Sequence, residues 1–213
     1  MLTDLEFKSW AKSMHLSEKS IEYIERVRHS PPARNVRGRN GNACGRYPSR
    51  KMGVTIQFES RNVELAGIYE MEHDSDVLEY WDQPESIKLN YKSKNGKTVG
   101  VYHTPDYFVI RKQSVGWEEW KTEQTLLEKE IKEPNRYSRD TEEMWCCPPG
   151  EKVAAEYGFY YRIRSSSEIN WIYQRNLRLL TGYTFRPESH EESSIRILNY
   201  IQKHPGCTIR QLL

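Results

Sequence analysis

The spacing of apolar residues changes along the chain, and each change marks an element. Leu5, Trp10, Met14 and Leu16 supply the apolar positions of a first helix, and Ile21, Ile24 and Val27 those of a second that Ser17 caps. Together they occupy residues 3–28, and Pro31-Pro32 ends the pair. A third helix, with Ser60 as its expected cap, carries Glu64, Gly67, Ile68 and Met71 at positions i, i+3, i+4 and i+7. Strand patterns follow in Val77–Trp81 and Ile87–Tyr91, with Gln83-Pro84 between them. Asn95-Gly96 is a type I′ hairpin signal, and the returning strand runs from Thr98 to Tyr102 and past Pro105 to Ile110. After the polar turn Arg111–Ser114 comes a strand ending Glu119-Trp120-Lys121.

A helix from Thr122 to near Lys132 turns Leu126, Leu127 and Ile131 inward, and Glu133 to Lys152 reads as loop. Phe159–Arg164 is a strand. Ser165 and Glu168 form a capping box for a helix through Leu180, with Ile172, Leu179 and Leu180 on its core side and Arg175 and Arg178 outside. The order of helix, three strands, helix, strand, helix predicts an α/β fold. Beyond it, Ile195, Leu198 and Ile201 mark an amphipathic helix, His204-Pro205-Gly206 a turn, and Thr208 the cap of a second helix. This is the opening of a helix-turn-helix or winged helix, expected to be truncated because the pattern stops at Leu212-Leu213.

The expected organisation is a helical segment over 1–29, a basic arm over 30–58, a catalytic domain over 59–187 and the partial winged-helix-like segment over 188–213. The arm comes from charge placement. Arg34, Arg37, Arg39, Arg46, Arg50 and Lys51 lie in a glycine-rich stretch, and no acid occurs from Arg26 to Gln57. Such a stretch is expected to lack regular structure and to follow a phosphate backbone. Net charge is only +2, so any affinity for nucleic acid must come from such local clustering. Six Trp and 14 Tyr supply bulky core material in a polar chain. No membrane span or signal peptide is visible, and a cytoplasmic protein is expected. Cys44, Cys146, Cys147 and Cys207 show no C-x-x-C spacing, so free thiols are expected, with neither structural zinc nor a disulfide framework.

Candidate chemistry lies in the strand pair around Arg111–Ser114. Side chains alternate along a strand, so Glu119 and Lys121 share a face while Trp120 takes the other. Pairing the strands as a hairpin brings Asp106 beside Glu119. Carboxylates gather hard divalent cations, and such cations activate water against phosphodiesters. Glu64, an acid on an apolar stripe, needs a cation partner if it is buried. The expected catalytic residues are Glu64, Asp106, Glu119 and Lys121. The expected metal ligands are the three acids with the Trp120 main-chain carbonyl, and they hold one or two Mg²⁺ or Mn²⁺. Gln83 is expected to support them from behind. DNA contacts are expected from Arg34, Arg37, Arg39, Arg46, Arg50, Lys51, Arg175 and Arg178. His103 is read as a strand-face residue, and Glu70 and Glu72 as solvated.

Pro105-Asp106, a turn, then Glu119-Trp120-Lys121 resembles the motif of the PD-(D/E)xK nucleases, whose restriction-endonuclease-like core has the order αβββαβ. A wider set is more specific: Ser30-Pro31-Pro32-Ala33-Arg34, Arg46-Tyr47-Pro48-Ser49-Arg50-Lys51-Met52, Phe58-Glu59-Ser60, Val63-Glu64-Leu65, Tyr80-Trp81-Asp82-Gln83-Pro84, Thr104-Pro105-Asp106 and Glu119-Trp120-Lys121. Over roughly residues 30–185 this set resembles TnsA, the endonuclease family of Tn-seven-like heteromeric transposases. The resemblance implies a magnesium-dependent nuclease that cuts the 5′ ends of a transposon in double-stranded DNA. Its implied partners are a DDE-type transposase subunit and an AAA+ ATPase regulator, the latter through a carboxy-terminal winged-helix domain that the pattern shows only in part. The family's glutamate, aspartate and lysine fall on Glu64, Asp106 and Lys121. Its best-known member has glutamine where this chain has Glu119, a departure expected to strengthen metal binding. Rival readings are an autonomous restriction-like or junction-resolving nuclease and a catalytically silent DNA-binding adaptor.

Overall fold

The apolar stripes fold into two units in the computed structural model, which describes residues 1–36, 44–184 and 191–212. The first unit, Met1–Asn170, opens with α1 (Asp4–Ser13) and α2 (Glu18–His29). Thr3 and Glu6 make a capping box on α1, and the Ser17 hydroxyl accepts the Ser20 N–H at the start of α2. Phe7, Trp10 and Ala11 form the buried stripe of α1. Leu5, expected on that stripe, is exposed, because the helical phase set by Phe7 turns it outward. On α2, Ile24 and Val27 are buried and Ile21 half-buried.

Part of the glycine-rich stretch departs from the expectation of no regular structure. β1 (Gly45–Pro48) pairs antiparallel with β2 (Thr55–Phe58), and Gly45 sits opposite Phe58. A side chain at Gly45 would collide with the Phe58 ring, so the glycine enables the pairing rather than preventing it.

α3 (Glu64–His73) begins at Glu64 itself. Ser60 is not its cap: the Ser60 carbonyl accepts the Leu65 N–H, and Val63 occupies the cap position without a side-chain bond. The expected stripe is buried, with Glu64, Gly67, Ile68 and Met71 all turned inward. Next come β3 (Val77–Asp82), β4 (Ile87–Lys92), β5 (Thr98–His103), β6 (Tyr107–Arg111) and β7 (Val115–Lys121). After α4 (Glu123–Lys132) and the short pair β8 (Ser138–Arg139) and β9 (Trp145–Cys146) come α5 (Pro148–Ala155) and β10 (Tyr160–Ser165).

The central sheet has the order β10-β7-β6-β3, antiparallel except for the parallel β7–β10 pair. Its strands are apolar on both faces. Phe108, Ile110 and Trp117 enter one core with Phe7, Trp10 and Ile24, whereas Tyr107, Val109 and Trp120 enter another with Met52, Ile68 and Met71. The period-two alternation of β6 therefore feeds both layers. β5 does not continue into β6: Pro105 has no N–H for a ladder, and β4–β5 closes as a separate two-stranded sheet inserted between β3 and β6. With that insertion set aside, α3-β3-β6-β7-α4-β10 is the expected αβββαβ order.

Further corrections concern the later elements. On α4 only Leu126 is buried, and Leu127 and Ile131 are exposed. The segment expected as loop holds the β8–β9 pair and α5, which starts on Pro148-Pro149, where proline's missing N–H costs no helical bond. The Ser165–Glu168 capping box forms, but it closes a 3₁₀ turn over Ser166–Glu168. Glu70 is not solvated, because it pairs with Arg164 at 3.1 Å. Glu72 is not solvated either: it accepts from the Ser49 and Tyr80 hydroxyls and the Arg50 and Lys51 N–H groups.

The second unit, Trp171–Leu213, contains α6 (Trp171–Thr184), α7 (Glu191–Lys203) and α8 (Ile209–Leu212). Gln174 and Leu177 are the buried positions of α6, whereas Ile172, Leu179 and Leu180, expected on its core side, are exposed. Arg175 and Arg178 are exposed as expected. Ile195, Leu198 and Ile201 lie on α7, and the Thr208 N–H donates to the Gln211 side chain at the start of α8. Among the described residues, no helix is long and apolar enough to cross a membrane.

Candidate active site

Three elements meet at one cleft. Glu64 is the first residue of α3, Asp106 immediately precedes β6, and Glu119 and Lys121 lie at the end of β7. α3 is held against β7 by a close approach: a Cβ added at Gly67 would lie 2.6 Å from the Trp120 ring. Tyr107 pairs with Glu118, so Asp106 comes opposite Glu119 one step along, as the hairpin reading required. Its Oδ2 accepts the Trp120 N–H at 2.8 Å, and Glu64 Oε2 accepts the Glu59 N–H at 2.7 Å. The cleft, about 610 Å³, is lined by Glu59, Glu64, Asp106, Glu119 and Lys121. Arg34, Tyr102, His103, Thr104, Lys129, Arg136 and Tyr137 complete its walls.

Glu119 differs from the other acids in how fully it is engaged. Its Oε1 accepts from Lys121 Nζ at 2.7 Å and from the Tyr137 hydroxyl at 3.0 Å. Its Oε2 accepts the Tyr161 hydroxyl at 2.7 Å, and His103 Nε2 lies 3.2 Å away without hydrogen-bond alignment. His103 is therefore a cleft residue as well as a strand residue. Burial opposes the charge of Glu119, but Lys121 and its other donors outweigh it and hold the carboxyl well below the usual range. Lys121 is shifted upward: burial disfavours its ammonium, and the Glu119 and Asp106 charges more than compensate. Glu64 goes the other way, pushed up to about 8 by burial and then by the Asp106 charge. Burial also raises Asp106.

Gln83, buried and in a left-handed conformation (φ 46°), stands behind this group. Its N–H donates to the Asp106 carbonyl at 2.9 Å, its own carbonyl accepts the Ala33 N–H, and its side chain accepts from Arg34 Nε at 3.1 Å. Arg34 thereby reaches the cleft, where it also pairs with Glu59 at 2.8 Å. Of the other expected DNA contacts, Arg37 and Arg39 lie outside the described residues. Arg46 and Arg50 are exposed around the β1–β2 hairpin, and Arg175 and Arg178 belong to the second unit. Lys51 faces inward: its ammonium donates to the Met71, Asp74 and Val77 carbonyls and so caps the end of α3.

The sequence singles out neither Tyr161 nor Tyr137 as a partner of Glu119, Tyr137 being read only as a loop residue able to touch DNA. Tyr161 was legible as an inward position of an apolar strand, but nothing local distinguishes Tyr137, which approaches Glu119 only through tertiary folding. Among the described residues, no group of three His, Cys, Asp or Glu side chains is disposed to hold a metal ion. The expected set of three acidic ligands is therefore not assembled as such. Glu64 and Asp106 line the same cleft, where the Asp106 charge raises Glu64, and Glu119 is paired with Lys121.

Residues 74–166 match the family model of the TnsA-like endonuclease N-terminal domain. No curated protein matches the chain. The matched stretch contains Asp106, Glu119 and Lys121, while Glu64 precedes it and joins the site by geometry. Over this stretch, whose fold is restriction-endonuclease-like, the chain is similar to the TnsA-like endonucleases.

Proposed function

We propose that the chain is the endonuclease subunit of a heteromeric transposase and hydrolyses one phosphodiester at each 5′ transposon end, with Mg²⁺ or Mn²⁺ as cofactor. The observation that carries this reading is the convergence of Glu64, Asp106, Glu119 and Lys121 in one cleft of a TnsA-like domain. The donor set suits a hard cation. Glu64 and Asp106 are buried carboxylates, the Asp106 charge adds to the cost of ionising Glu64, and a bound divalent cation would offset that cost. Glu64 and Asp106 would hold it with the Trp120 main-chain carbonyl, and Gln83 would fix the Asp106 backbone from behind. When bound, such an ion supplies positive charge to a phosphoryl oxygen and lowers the pKa of water.

Lys121 stays an ammonium because Glu119 and Asp106 favour its charge, so it acts as an electrostatic and orienting group rather than as a base. Water adds to phosphorus, the P–O3′ bond breaks, and the products are a 5′-phosphate and a 3′-hydroxyl that has taken up a proton. Arg34, Lys129 and Arg136 give the cleft a cationic side for the flanking phosphates. The DDE-type subunit is proposed to cut the 3′ ends, and an AAA+ regulator is proposed to act on the assembled complex.

The test is strand-specific cleavage of end-containing DNA in Mg²⁺, with the protein alone and with its transposase subunit, beside Asp106→Ala. Partner-dependent 5′-strand cutting that disappears in the variant is expected. Cutting without a partner would replace this reading with an autonomous nuclease. Absence of Asp106-dependent cutting, with the regulator also supplied, would leave a DNA-binding adaptor. Lys121→Ala is expected to lower cutting by at least about 10²-fold while leaving DNA binding largely intact, and equal loss of both would remove its catalytic role.

A further inference from the structure

A carboxylate offers about four lone-pair positions. Glu119 has three hydrogen-bond donors and one close imidazole nitrogen around its two oxygens, in a fully buried setting. By contrast, Asp106 and Glu64 each show one oxygen engaged by a main-chain N–H. Tyr137 lies just before β8 and Tyr161 within β10, so two separate elements aim phenols at the same acid. Both rings are buried, where a hydroxyl needs a partner, and turning Glu119 toward a cation would strip that partner away.

We propose that Tyr137 and Tyr161 are positioning residues that clamp Glu119 as the anchor of Lys121, leaving the metal to Glu64 and Asp106. This inference rests on the metal-dependent nuclease reading above. The clamp divides the acids by task. Glu64 and Asp106 each show one oxygen engaged by a main-chain N–H, whereas Glu119 holds the Lys121 ammonium at 2.7 Å. The phenols donate to Glu119 without bringing charge of their own, so they fix its orientation and leave its pull on Lys121 intact.

The experiment measures Mn²⁺ binding to the full chain by calorimetry, together with steady-state cleavage of end-containing DNA in the presence of the transposase subunit. Wild type is compared with Glu119→Gln, Asp106→Asn, and a Tyr137→Phe/Tyr161→Phe variant with and without Lys121→Ala. Glu119→Gln and the phenylalanine pair are expected to leave Mn²⁺ affinity unchanged, while Asp106→Asn weakens it by at least about tenfold. The phenylalanine pair should lower kcat by about 10–100-fold without raising KM for DNA. Adding Lys121→Ala to it should cost little more, because the tyrosines act through the lysine. Loss of Mn²⁺ in Glu119→Gln equal to that in Asp106→Asn would overturn the proposal while leaving the nuclease reading in place. So would full additivity of the tyrosine and lysine losses. A wild type that neither binds Mn²⁺ nor cuts DNA would overturn both. Should the phenylalanine pair fail to fold, Glu119→Gln, which preserves shape, still decides the ligand question.

Discussion

At Glu72, four donors from β3 and the Ser49–Lys51 turn converge on one carboxylate. Burial opposes its charge, but the Ser49 and Tyr80 hydroxyls and the two backbone N–H groups outweigh burial and hold its pKa below the usual carboxylate value. The folded state therefore favours the ionised form. That contribution is fully present above the unfolded pKa, near 4.5, and is lost as pH falls through the folded value. Glu72→Gln is expected to destabilise by about 1–3 kcal/mol at pH 7. Denaturant unfolding should show the gap to wild type closing as the pH is lowered below the ordinary carboxylate range. A gap independent of pH would mean that the charge contributes nothing. Nothing in the sequence marks Glu72, because its donors come from a turn about 20 residues away in the chain. Glu64, in contrast, was legible as an acid on an apolar stripe.

At the level of elements, two contacts fix how the helices sit against the central sheet. Gly67 lets α3 rest on the Trp120 ring, and a methyl group there would force the helix outward and carry Glu64 with it. Gly67→Ala is expected to cost about 1–3 kcal/mol by overpacking and to reduce cleavage further than the stability loss explains. Melting and single-turnover rates measured on the same sample would separate the two effects. The second contact is buried: Arg28 of α2 pairs with Glu79 of β3 at 3.0 Å, and Glu79 also accepts the Trp81 indole N–H and the Leu2 N–H. Arg28→Ala strands an unpaired buried carboxylate and is expected to destabilise by about 3–5 kcal/mol, whereas Arg28→Met/Glu79→Leu should recover much of that loss. An equal loss in the single and double variants would show that packing, not charge, dominates. The main strands and helices were legible because their apolar periods are long. β1, α5 and the break at Pro105 were not, because each depends on tertiary partners that outweigh local propensity.

For the molecule as a whole, the proposed cation binding would be linked to folding. If the cation binds only the folded chain, Mn²⁺ at about a hundred times its Kd should stabilise the fold by about 2.7 kcal/mol. The upward shift in Tm should reverse with a chelator and be absent in Asp106→Asn. The sequence predicted which residues meet in the cleft, since the hairpin register follows from strand alternation. It did not show which groups engage Glu119, because Tyr137 and Tyr161 come from a later loop and a strand that crosses back to pair in parallel with β7. That late arrival bears on how the protein is made. A chain emerging from the ribosome contains every acid of the cleft and its lysine well before Tyr161 appears, yet Glu119 gains its second phenol only once β10 has docked. A chain that stops short of β10 therefore lacks both the second phenol on Glu119 and the parallel strand flanking β7, although every acid of the cleft and its lysine are already in place in the sequence.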